Sequence, residues 1–189
     1  MKHISLAIWP ILSLVAACGG GSTSTGPDYT DLVSGYSTLS AELGAAGLTP
    51  SAQMPTSGSA TYDGYFSGIF DPAGADPSVR VRGEASLTAN FAQARLSGSV
   101  TNLQGANDTP VSGTIALSNG VISNSIAQVK GSGNVRVDAP GFPTGTAAAI
   151  DIDLLGTFAG ANARGLSLIA TDGTLGSSVS VDAGIVATR

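Results

Sequence analysis

The chain of 189 residues carries eight Lys and Arg against thirteen Asp and Glu, a net charge of −5, and 26 glycines. That length fits one domain with a proper core, and mild acidity without a basic patch argues against nucleic-acid binding. The only cysteine (Cys18), the only histidine (His3) and the only tryptophan (Trp9) stand near the start, so everything beyond lacks disulfide, thiol and imidazole. Most catalytic chemistry is thereby removed, and the expectation is a non-enzyme with no cofactor and no metal.

Lys2 and His3 open the chain and Ile4 to Ala17 follow as an apolar run of the length of a signal core. It is too short to span a bilayer, which takes roughly 20 apolar residues. The stretch Leu14-Val15-Ala16-Ala17-Cys18, followed by Gly19-Gly20-Gly21-Ser22, resembles a bacterial lipobox. The resemblance implies cleavage before Cys18 and acylation of its thiol, giving an exported protein held by a lipid anchor in the membrane; two or more acyl chains anchor stably. Gly19 is not acidic, which in such lipoproteins favours the outer membrane and the cell surface. Residues 1–17 are thus read as signal peptide and 18–27 as a lipidated flexible tether of Gly, Ser and Thr. Losing Lys2 with the leader takes the net charge from −5 to −6.

Leu32, Val33, Tyr36, Leu39 and Leu43 recur at helical spacing. With Asp28 as N-cap, Gly44 as stop and Pro50 beyond, they predict a short amphipathic helix, and residues 28–55 form helix and connector. Gly35 weakens that helix by about 1 kcal/mol relative to alanine, so its docking depends on the apolar stripe.

From Ser59 the period becomes two. Tyr62, Gly64, Phe66, Gly68 and Phe70 alternate with smaller or polar residues, and Val79, Val81, Gly83, Ala85, Leu87, Ala89 and Phe91 oppose Arg80, Arg82, Glu84, Ser86, Thr88 and Asn90. After a turn near Ala92-Gln93 come Leu96 to Val100 and Val111 to Leu117, then Asn119-Gly120, a strong hairpin signal. Val121 to Ile126, Val135 with Val137, Ala148 to Phe158, Leu166 to Ala170 and Val179 to Ala187 supply the rest, eight or nine strands in all. Short turns and meander-like spacing predict an all-β fold, an eight-stranded antiparallel up-and-down β-barrel preceded by a short N-terminal helix, over residues 56–189. A membrane-spanning barrel would turn the apolar face outward; too few aromatic residues for two girdles, and Arg80, Arg82 and Glu84 in the lumen, argue against it.

Gly156-Thr157-Phe158-Ala159-Gly160-Ala161-Asn162-Ala163 resembles the Gly-x-Phe-x-Gly-x-x-Ala signature in the C-terminal barrel of the transferrin-binding protein B family, whose relatives include factor H binding-like surface lipoproteins. Ile185-Val186-Ala187-Thr188-Arg189 is similar to the family's closing Phe-Gly-Ala-Lys-Arg strand, with Ile185 for the phenylalanine. The resemblance begins near Met54 to Gly58 and covers roughly Thr56 to Arg189. After Ala163 the family has an acidic residue and a Gly-Gly pair, where this chain has Arg164-Gly165-Leu166-Ser167, and the handle domain and second lobe are missing. The resemblance therefore implies a barrel, a surface lipoprotein and a binding role, without transferrin capture.

Asp151 and Asp153 share a strand face and could hold a hard cation or act as an acid/base pair, but with Ile150, Ile152 and Leu154 opposite they read as a wet face. Asp63-Gly64 and Asp172-Gly173 read as strand-start and turn residues, and Gly131-Ser132-Gly133 as a hairpin or strand bend. Tyr62 and Phe66 read as core, and the lumen as filled. The loops Asp71 to Asp76 and Gly105 to Pro110 are the candidate contact surfaces for a protein or other macromolecular partner. Alternatives are a small-ligand carrier using the lumen and a structural envelope lipoprotein. A monomer is expected.

Overall fold

A computed structural model describes residues 26–74 and 76–189. The lipobox with Cys18, the signal peptide and most of the tether lie outside the described residues.

One helix precedes the sheet: α1, Tyr29–Ala46. Asp28 caps it as expected, its side chain accepting from the Asp31 amide at 2.9 Å. The helix passes through Gly44 and ends at Gly47, whose φ of 68° supplies the left-handed turn that Gly44 was expected to give.

Eight strands follow in chain order: β1 Ser59–Pro72, β2 Val79–Asn90, β3 Arg95–Gly105, β4 Val111–Ser123, β5 Ile126–Val137, β6 Ala148–Ala159, β7 Gly165–Leu175 and β8 Val179–Thr188. Each pairs antiparallel with its sequence neighbours, and β1 closes the circle against β8 from Asp63↔Thr188 to Pro72↔Val179. The expected all-β, eight-stranded antiparallel barrel is the fold observed.

Asn119-Gly120 does not reverse the chain. It lies inside β4, where Asn119 takes φ 54° and the register against β5 shifts between Ser118 and Val121. A two-residue hairpin of the Asn-Gly kind needs positive φ at both positions; here only Asn119 has it, and the result is a bulge that bends a continuing strand. The reversal falls at Asn124-Ser125 instead, with Asn124 at φ 54°, so nine apolar runs make eight strands. Asp172-Gly173, expected in a turn, lies within β7, and Gly131-Ser132-Gly133 runs straight through β5.

The apolar faces point inward and the charged ones outward, the reverse of a membrane-spanning barrel. Tyr62, Phe66, Phe70, Val81, Leu87, Val100, Ile115, Phe158, Leu166 and Ile185 all have 0% accessible surface. No water-sized space, open or enclosed, touches them, so the lumen is filled. Small and large residues interdigitate: a Cβ on Gly68 would meet the rings of Phe66 and Phe70 at 3.0 Å.

In this topology the connections after odd-numbered strands share one end of the barrel. They are residues 73–78, 106–110, 138–147 and 176–178, and include the two longest, 73–78 and 138–147. The opposite end is closed by short turns at 91–94, 124–125 and 160–164. Phe142, from the longest connection, is buried with the core.

Candidate functional site

At the long-loop end the Gly105 to Pro110 connection meets the residues that follow Asp71 to Asp76, while Pro72 and Asp76 themselves lie against Gly141. Pro77, Ser78, Val79 and Arg80 line a cleft of about 270 Å³ with Ala106, Asn107, Thr109, Ala139 and Pro140. Asp71, Asp76, Asp108 and Asp138 are exposed at this end. Asp138 accepts from Arg136 Nε at 2.8 Å, which holds the guanidinium proton more tightly than usual. The rim is acidic.

The short-turn end gathers the residues that carried the family resemblance. Gly156 faces β7 so closely that a Cβ there would stand 1.8 Å from the Ser167 carbonyl oxygen; only glycine fits. Phe158 packs its ring 5.8 Å from that of Tyr62 and 5.9 Å from that of Phe91. Ala163, fully buried, accepts the hydroxyl of Tyr62 at 2.6 Å, and Arg189 donates to the Asn162 carbonyl. The Gly-x-Phe-x-Gly-x-x-Ala stretch and the terminal arginine thus pack together at this end, where Ala159, Gly160 and Arg189 also line a cleft of about 420 Å³ with Glu42 and Leu43 of α1. Burial raises the Tyr62 phenol above its ordinary pKa, and Arg189 partly offsets that rise.

Helix α1 lies along the outer wall over β1, β2 and β8. A Cβ on Gly35 would come within 2.3 Å of the Tyr65 ring. The glycine that weakens the helix on propensity is therefore the one that lets the wall seat against it. Arg82 of β2 sits 6.0 Å from the ring centre of Tyr29 and 5.7 Å from that of Tyr36, a cation–π contact on each side. Burial raises the Tyr36 phenol; Arg82 lowers it and Asp182 adds to the rise. Between helix and wall runs a groove of about 750 Å³ with Glu42, Asp63, Tyr65 and Glu84 on its lining. Asp63 there accepts from Ser86 at 2.7 Å, and Glu84 accepts from Asn102.

Asp151 and Asp153 do share an outer face of β6. Asp153 is 2.8 Å from Lys130 Nζ and stands directly opposite Asp172 of β7. The Asp153–Asp172 juxtaposition was not read from the sequence, because Asp172 was placed in a turn and because strict alternation from Ile169 would turn Thr171 outward; the register shift between Asp153 and Leu154 is what brings Asp172 to the outer face. Among the described residues no group of three or more His, Cys, Asp or Glu is placed to hold a metal ion. No helix among them is long and apolar enough to cross a membrane.

No family model and no curated protein matches the chain. Solved structures do. An intact transferrin binding protein B with N and C lobes, designated Ap, is 16% identical with a TM-score of 0.49 over 75% of this chain. A Trp-176-Ala mutant of the vaccine antigen transferrin binding protein B from Haemophilus parasuis Hp5 is 17% identical with a TM-score of 0.48 over the same share. The isotype 1 transferrin binding protein B from serogroup B Neisseria meningitidis is 18% identical, also at a TM-score of 0.48. The chain spans only 27% to 28% of the length of these structures.

Proposed function

We propose that this protein is a surface lipoprotein anchored in the outer membrane through Cys18, whose barrel is a non-catalytic module that binds a protein or other macromolecule. The carrying observation is the filled lumen: with Tyr62, Phe66, Phe70 and Phe158 at 0% accessible surface, the space that would house a small ligand is occupied by side chains. Binding pockets for small molecules are concave and lined with a few convergent polar groups; this interior supplies neither. Recognition is then left to the outside, and the adjoining loops that carry Asp76, Asp108 and Asp138 offer an exposed, acidic surface. The lipobox and the Gly/Ser/Thr tether support the anchor, and the C-terminal barrel signature supports kinship with transferrin-binding protein B-like lipoproteins.

Two measurements test this reading. Cys18→Ser should shift the protein from the membrane fraction to a soluble or uncleaved form; unchanged partitioning removes the anchor. Native mass spectrometry of the cell-derived protein should give the mass of the acylated chain alone, and a small ligand at near-stoichiometric occupancy would turn the module into a carrier.

A further inference from the structure

The outer wall holds a row of uncovered apolar side chains on the side away from α1. The register makes the row continuous: Arg95 of β3 stands opposite Val121 of β4, Val121 opposite Gln128 of β5, Gln128 opposite Leu155 of β6, and Leu155 opposite Ile169 of β7. Ile169 is 63% exposed and Val121, Leu155 and the adjoining Ile126 between 41% and 48%. Scattered apolar residues on a surface need no explanation, but a contiguous set does. The same row runs on through Gly184 of β8, Ser67 of β1 and Arg82 of β2. There it is covered: the Tyr36 hydroxyl lies 3.0 Å from where a Cβ on Gly184 would be, and Tyr29 and Tyr36 flank Arg82. The molecule thus uses one half of this belt to seat a helix and leaves the other half bare.

Charge defines what fits the bare half. One step toward the long-loop end stand Asp153, Asp172 and Asp182, with Asp151 beyond and Lys130 the cation among them. Asp153 and Asp172 face each other in register, where like charges directly opposite are unfavourable. Lys130 engages Asp153, and a further cation from outside would relieve the rest. On the other side of the row stand Ser123, Thr157 and Ser167, neutral hydroxyls, and the cations on this face are Arg95 at the end of the row and Lys130, already engaged with Asp153. A second copy would thus bring Asp151, Asp153, Asp172 and Asp182 against Arg95 and Lys130, more carboxylates than cations, whereas a basic segment brings cations alone. The row from Val121 to Ile169 crosses three interstrand gaps of about 4.8 Å each, close to the length of roughly ten helical residues.

We propose that the outer face of β4 to β7 docks a basic amphipathic segment of a partner protein, its apolar ridge on Val121, Leu155 and Ile169 and its Lys or Arg residues over Asp153 and Asp172. The inference goes beyond the anchor and the long-loop end, and it stands or falls apart from both.

The test uses the full chain carrying Cys18→Ser and a fluorescent helical peptide of about 15 residues with leucines on one face flanked by lysines, followed by anisotropy. Binding is expected, at least about tenfold weaker for the same peptide with glutamates in place of lysines. It should also be about tenfold weaker for the double variant Leu155→Ser, Ile169→Ser, whose exposed positions leave the core intact. Asp172→Asn should reduce the affinity and flatten its salt dependence. Absence of binding by the lysine peptide, equal binding of both peptides, or binding unchanged by the double variant overturns the proposal. So does concentration-dependent self-association in sedimentation velocity that Ile169→Ser abolishes, which would give the face to a second copy.

Discussion

Tyr62 of β1 donates its hydroxyl to the carbonyl of Ala163 at 2.6 Å, bridging the first strand and the turn between β6 and β7 across the barrel end. The bond is buried, and the strand and turn it joins lie far apart in the chain.

Tyr62→Phe should therefore cost about 1–2 kcal/mol, since a buried carbonyl loses its partner while the ring stays. The pH profile gives an independent check. The folded phenol titrates above its ordinary value because it is buried, as does that of Tyr36. Below about pH 10 both states are protonated and the contribution is complete; as pH rises further the unfolded chain releases protons that the folded one keeps, and stability falls. Urea midpoints of the parent should drop above pH 10, and the phenylalanine variant should drop less steeply. A parallel pair of profiles would show that Tyr62 is not the group concerned.

Gly156→Ala should destabilise by about 3 kcal/mol or more, the upper range for overpacking. The obstruction, 1.8 Å away, is the Ser167 backbone oxygen, which no rotamer change can move. Thr157→Ala, one residue along, serves as control. A thermal melt in which both variants behave alike would refute the close approach of β6 and β7.

Truncating Phe66 should open a hole where none exists. Phe66→Ala is expected to lose about 3–5 kcal/mol and to leave a dry cavity able to take up xenon or benzene. Stabilisation by benzene in the variant and not in the parent is the result to look for. Benzene stabilising the parent equally would mean that the lumen already has room.

Arg82→Met keeps the bulk of the side chain but removes the charge between Tyr29 and Tyr36. Amide exchange in α1 should accelerate while the barrel strands keep their protection. Arg82 lowers the Tyr36 phenol, so that group should titrate higher in the variant wherever the helix remains docked. Unchanged exchange throughout α1 would show that the apolar stripe alone holds the helix.

The barrel was legible because its alternation is local. Val79 to Phe91 states in one stretch which face is dry, and the structure buries Val79, Val81, Ala85, Leu87, Ala89 and Phe91 as that alternation required. The Asp28 cap was equally local. What misled was chemistry whose meaning depends on distant partners: Asn119-Gly120 has hairpin composition, yet the cross-strand position of Gly120 opposite Leu96 keeps β4 running. Gly44 looked like a helix stop because propensity cannot tell one glycine from another three residues on. Gly35 looked like a weakness because Tyr65, its reason, lies on another element. Of the candidate surfaces, the sequence named the loops Asp71 to Asp76 and Gly105 to Pro110, but it could not line up Val121, Leu155 and Ile169, because that row exists only once four strands are in register.

The closing seam between β1 and β8, Asp63 against Thr188, has a consequence for the order of events in the life of the chain. Every other ladder joins consecutive strands and can form as soon as both exist; this one waits for nearly the whole domain to be synthesised. Until then β1 has an unpaired edge, which invites intermolecular pairing, and the long loop to be closed slows folding. A chain shortened within its last ten residues should therefore be a poor folder with two open edges, prone to aggregate.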